Sequence, residues 1–157
     1  MQQGRPAGRA GELMNIGLAA FAGLLLLLYS VYFYHIMKGR PQEFEIELVR
    51  ALAEWMINRG PASRSQLWMF YVLSLILEII YFSLVFYLLN NAVIKLFTIF
   101  LASFEALHLG MVGINLSRFF GGSMPLKNLL NWPIERTSAV LFFTHTLLVV
   151  INIIYLH

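Results

Sequence analysis

Cysteine and aspartate are both absent from this 157-residue chain. Without cysteine there are no disulfides, thiolate metal sites, iron–sulfur clusters or cysteine nucleophiles, and the redox compartment leaves no trace in the sequence. Without aspartate, catalytic motifs that need it fall away, and Glu and His remain as the proton acceptors of ordinary strength. Charge of either sign is also scarce. Charged residues make up 12% of the chain and apolar residues 59%, against a soluble norm of roughly 25% and 45–50%. This is the composition of a membrane protein. The formal net charge of +3 does not point to nucleic acid, because Lys and Arg are scattered over the ends of apolar segments, where they act as topology signals.

Four apolar runs are long enough to cross a bilayer core, which needs about 20 residues of helix. They cover about 13–37, 66–89, 92–117 and 136–156. Arg5 and Arg9 precede the first run in the manner of a signal peptide, but no small-residue cleavage site follows. Tyr29, Tyr32, Phe33 and Tyr34 suit an interfacial belt, so the helix is expected to be retained. Asn90 and Asn91 alone separate the second and third runs, which implies a tight antiparallel hairpin. Trp132 and Pro133 introduce the fourth. The predicted fold is an all-α integral membrane protein, four transmembrane helices in an up-down bundle, forming a single domain over 1–157.

Between the first two spans, residues 41–59 have a different character. Gly39 before them and Gly60 and Pro61 after them are helix-boundary signals. Phe44, Leu48, Leu52, Trp55 and Met56 recur on one face, with Glu43, Glu47, Arg50 and Glu54 opposite, the pattern of an interfacial amphipathic helix. A second, shorter interfacial helix is expected at 123–131. Lys38, Arg40, Arg50, Arg59, Arg64, Arg118, Lys127 and Arg136 fall on one side of the predicted topology, and Arg5, Arg9 and Lys95 on the other. The excess predicts the amphipathic helix in the cytoplasm and both termini on the non-cytoplasmic side.

Ionisable residues inside the spans are few. Glu78, Glu105, His108 and His145 lie well inside their runs, where an unpaired charge costs several kcal/mol. Counted from the cytoplasmic end of each run, Glu78 and Glu105 are expected roughly 18 Å deep, His108 roughly 14 Å and His145 roughly 13 Å. Polar stripes accompany them: Ser74, Glu78 and Tyr81; Thr98, Glu105, His108 and Asn115; Ser138, His145 and Asn152. Spacings of three, four and seven keep each set on one helical face, as expected for faces turned into a bundle.

Several chemistries fit such a cluster. Two carboxylates and two imidazoles, Glu78, Glu105, His108 and His145, suit iron, manganese or zinc. The Glu105-x-x-His108 spacing resembles half of the carboxylate-bridged di-iron arrangement of ferritin-like bundles, which carry two such motifs and four carboxylates; the second motif is missing here. His108 and His145 on successive spans could instead be the axial ligands of a b-type haem, with electron transfer as the implied role. A cofactor-free reading makes Glu78 and Glu105 a proton relay, which would call for oligomers, since four short spans offer little room for a pathway. The leading reading is an accessory or scaffold subunit of a membrane complex, with Glu and His hydrogen-bonded across helices. Ala106, Gly110, Gly113 and Ser117 would then allow close packing within the bundle, in a homo-oligomer or with a partner subunit. Nucleophilic enzymology has no support: there is no Ser-x-Gly elbow, cysteine or aspartate. Metal-assisted or acid–base catalysis by Glu105, His108 and His145 stays open.

Overall fold

The computed structural model describes residues 6–156, so Arg5 lies outside it. Those residues form five α-helices and one 3-10 turn: α1 (Pro6–Met37), α2 (Pro41–Arg59), α3 (Ala62–Leu88), α4 (Ala92–Phe120), the turn Leu126–Asn128, and α5 (Trp132–Leu156). Four of the helices, α1, α3, α4 and α5, are long and apolar enough to cross a membrane. Their surfaces agree with that reading. Leu27 is 68% exposed, Ile79 58%, Leu96 70% and Leu107 72%, and side chains of this kind on several helices form an apolar surface far beyond what a soluble monomer carries.

The breaks between helices follow local chemistry. Gly39 and Gly60 adopt φ of 70° and 57°, a left-handed conformation that residues with a Cβ seldom adopt, so α1 and α2 end there. Pro41 opens α2 at a position where its missing N–H is not needed. Asn91 caps α4 by accepting from the backbone N–H groups of Val93 and Ile94 at 3.0 and 3.3 Å. Of the shorter interfacial helix expected at 123–131, only the turn Leu126–Asn128 forms. Gly122 at φ 76° and Pro125 in extended conformation leave no room for more.

Helix neighbours run α1–α3, α3–α4, α4–α5 and α5–α1, closing a ring, and the α1–α5 contact is the most extensive. Lipid gives no hydrophobic drive to join helices, so fit and interhelical hydrogen bonds must do so. Between α1 and α5 the fit is aromatic: Phe33 stacks on Phe143 at 4.0 Å and Tyr29 on Phe142 at 4.8 Å. Between α3 and α4 it depends on a glycine. Tyr71 lies across Gly113 and donates to the Leu109 carbonyl at 3.1 Å. A Cβ on Gly113 would stand 2.7 Å from the Tyr71 hydroxyl oxygen.

Helix α2 packs against α1, α3 and the 3-10 turn. Of the expected apolar stripe, Phe44, Leu52, Trp55 and Met56 are partly buried, but Leu48 is 41% exposed, and Glu45, outside the stripe, is buried. A partner explains the burial of Glu45. Glu45 accepts two hydrogen bonds from Arg136, Nε at 2.6 Å and Nη2 at 2.8 Å, and one from the Tyr32 hydroxyl at 2.7 Å. One carboxylate thus ties α2 to both α1 and α5.

Candidate functional site

The polar residues of α4 and α5 meet as a ladder. Thr98, Glu105 and His108 on α4 bond to His145, Ser138 and Glu135 on α5, in reverse order along the chain. Spacings of seven and then three residues on one helix are mirrored on the other, which is how antiparallel neighbours keep a common face. Asn115 extends the line by donating to the Leu129 carbonyl at 3.1 Å.

The ladder holds two separate centres. At one, Glu105 Oε2 lies 2.8 Å from His108 Nδ1, and Glu135 Oε1 lies 3.0 Å from His108 Nε2. Ser138 donates to the other Glu105 oxygen at 2.6 Å. Side-chain exposure falls from 20% at Glu135 through 10% at His108 to 2% at Glu105. A carboxylate, an imidazole and a second carboxylate therefore lead inward from the first turn of α5. Glu135 is also well placed for the positive end of the α5 dipole. Arg136, next in sequence, is occupied by Glu45.

His145 forms the other centre. Its Nδ1 is 2.9 Å from the Tyr81 hydroxyl and its Nε2 is 2.8 Å from Thr98 Oγ1. Thr98 gives its single hydroxyl proton to the Ile94 carbonyl at 2.7 Å, so Nε2–H must be the donor to Thr98, and Nδ1 accepts from Tyr81. The ring is fully buried, and both of its nitrogens are engaged. Phe97 and Tyr81 meet it edge-on at 5.2 and 5.6 Å.

The expected single level for the four residues does not form. His145 sits opposite Thr98, one heptad or about 10 Å along the helix from the Glu105 level. The depths differ from the expected ones because α4 runs about three turns beyond His108, where it meets Glu135 in the first turn of α5. The expected four-ligand set is thereby divided, and among the described residues no three His, Glu, Asp or Cys side chains are grouped to hold a metal ion. His108 and His145 stand apart with both ring nitrogens of each engaged, so iron ligation by either would displace a hydrogen bond already made.

Glu78 faces a different space. Between α3 and α4 lies a groove of about 450 Å³, lined by Tyr71, Leu75, Glu78, Ile79, Phe82, Glu105 and the small residues Ala102, Ala106 and Gly110, among others. Its rim includes exposed residues, Ile79, Ala106 and Gly110, so it opens on the apolar surface. Glu105 reaches it from the ladder. Glu78 is half-buried there, with neither an ion-pair partner nor a side-chain hydrogen bond among the described residues.

Two participants escaped the sequence reading, Glu135 and Glu45. Glu45 lies within the 41–59 segment, off its apolar stripe, and Glu135 lies one residue before the predicted fourth run. Starting the fourth apolar run at Arg136 left Glu135 outside the predicted span, whereas α5 begins at Trp132 and carries Glu135 in its first turn. Its spacing of three from Ser138 was the signal that could have found it. No family profile, curated protein or solved structure matches this chain.

Proposed function

We propose that this is a multi-pass membrane protein of four up-down spans in one domain, working as a proton-coupled transporter. Its relay runs from the α2-covered end of the bundle to the groove between α3 and α4. The observation that carries the reading is the continuous contact Glu135–His108–Glu105, with Glu105 itself lining the groove beside Glu78. A proton arriving on Glu135 passes to His108 Nε2 as the Nδ1 proton leaves for Glu105 Oε2. The ring is then in its other tautomer, and must lose the Nε2 proton and regain one at Nδ1 before the next transfer. Burial increasing along the three groups keeps water from short-circuiting the chain. Helix α2 lies at the membrane interface on the cytoplasmic side and both termini on the opposite side, a topology supported by the basic residues around α2.

The test is proton flux into liposomes holding the purified protein, read with an internal pH dye under an imposed potential. Glu135→Gln and Glu105→Gln should each lower the protein-dependent flux by about tenfold or more, since each removes a proton-transfer group. Flux unchanged in both variants, with the protein still folded, rejects the relay. A second reading, an accessory subunit in a homo-oligomer or with partner subunits, draws support from the full satisfaction of His145, whose bonds serve only to join α3, α4 and α5. That role predicts lost assembly, with no flux to lose.

A further inference from the structure

A half-buried carboxylate to which the described residues offer no counter-charge, inside an apolar groove, is the recognition chemistry of a lipophilic cation. We infer that the α3–α4 groove binds an amphiphilic organic cation, drawn from the apolar phase, with Glu78 as its counter-ion; this rests on the relay proposed above for its coupling to protons.

Three features of the groove converge on that ligand class. Its volume of about 450 Å³ falls within the range of roughly 300–1,000 Å³ for small-molecule sites. Leu75, Ile79 and Phe82 give it apolar and aromatic walls, and an aromatic face adds attraction for a desolvated cation. Its acidic groups exceed its basic ones: Glu105 is the second carboxylate, and the nearest imidazole, His108, is held between Glu105 and Glu135. An anion would meet two acidic groups, whereas a cation gives the ionised form of Glu78 its missing counter-charge. Small side chains form the space, since Ala102, Ala106 and Gly110 line one wall and a Cβ on Gly110 would meet open space.

Exchange follows from the same geometry. The cation and a proton compete for the Glu78 carboxylate, whose charged and titratable neighbours are Glu105 and His108 on α4 and Tyr29 on α1. As the cation binds, the Glu78 proton leaves for Glu105 and exits by His108 and Glu135. Charge within the groove is then conserved, which avoids the cost of an added buried charge.

Equilibrium dialysis of the full chain in detergent, with tetraphenylphosphonium as probe and the equally sized anion tetraphenylborate as control, tests the assignment. Saturable cation binding is expected, weakening as pH falls and reduced about tenfold or more by Glu78→Gln. Ala106→Phe, which fills the groove without touching charge, should also abolish it, and covers the case in which Glu78→Gln does not fold. Equal binding of anion and cation, or cation binding indifferent to both substitutions, overturns the inference. Liposome flux of Glu135→Gln reports on the relay separately. Cation binding that needs Glu78, alongside flux that ignores Glu135, keeps the ligand and removes the relay.

Discussion

Arg136 holds Glu45 in a two-point fork, Nε on Oε1 at 2.6 Å and Nη2 on Oε2 at 2.8 Å, across ninety-one residues of chain. The fork ties the start of α5 to α2 at the residue next to Glu135. It also withholds Arg136 from Glu135, leaving His108 as the partner of that carboxylate.

Acid should release this latch. The Arg136 guanidinium holds the Glu45 carboxyl below its ordinary value of 4.5. A depressed folded-state pKa contributes stability that is complete above the ordinary value and is lost as pH falls through the folded one. Thermal unfolding in detergent should therefore drop below about pH 4.5 in the natural protein. Glu45→Gln should remove that acid-sensitive part and cost about 2 kcal/mol at neutral pH. An unchanged acid profile in Glu45→Gln would show that the latch does not contribute.

The His145 centre should behave as structure. Thr98→Val keeps the shape but leaves the His145 Nε2–H and the Ile94 carbonyl without that partner. Stability should fall by about 1 kcal/mol, the scale of interhelical hydrogen bonds within membranes. Proton flux per folded molecule should stay near the natural rate. A tenfold loss of flux without loss of stability would instead place His145 on the proton path.

Close approach of α3 to α4 should be sensitive to one methyl group. Gly113→Ala puts a Cβ within 2.7 Å of the Tyr71 oxygen and 3.0 Å of Cζ. Moving the ring away breaks its bond to the Leu109 carbonyl, at a total cost of about 1–3 kcal/mol. Tyr71→Phe shortens the obstructing group and should be less than additive with Gly113→Ala when unfolding is measured for both singles and the double. Strict additivity would mean that the two residues do not meet.

Much of the architecture was legible from composition alone. Long apolar runs become helices because a bilayer core offers the backbone no other hydrogen-bond partners, and Gly39, Gly60 and Asn91 mark ends through chemistry local to the chain. Periodicity also foretold which face of α4 turns inward: Thr98, Glu105 and His108 are buried.

What the sequence by itself determined, then, was the set of long helices and most of the faces they bury, since both depend on neighbours within a few residues. Tertiary structure alone decided the axial offset of α5 against α4, and with it the pairing of His108 with Glu135 and the separation of His145 from Glu105. It likewise decided that Glu45 turns inward to Arg136 while Glu78, beside the groove, has no partner among the described residues. Sliding one helix along another leaves each helix's own periodicity unchanged, so register is invisible to sequence pattern. Contacts between side chains far apart in the chain select it.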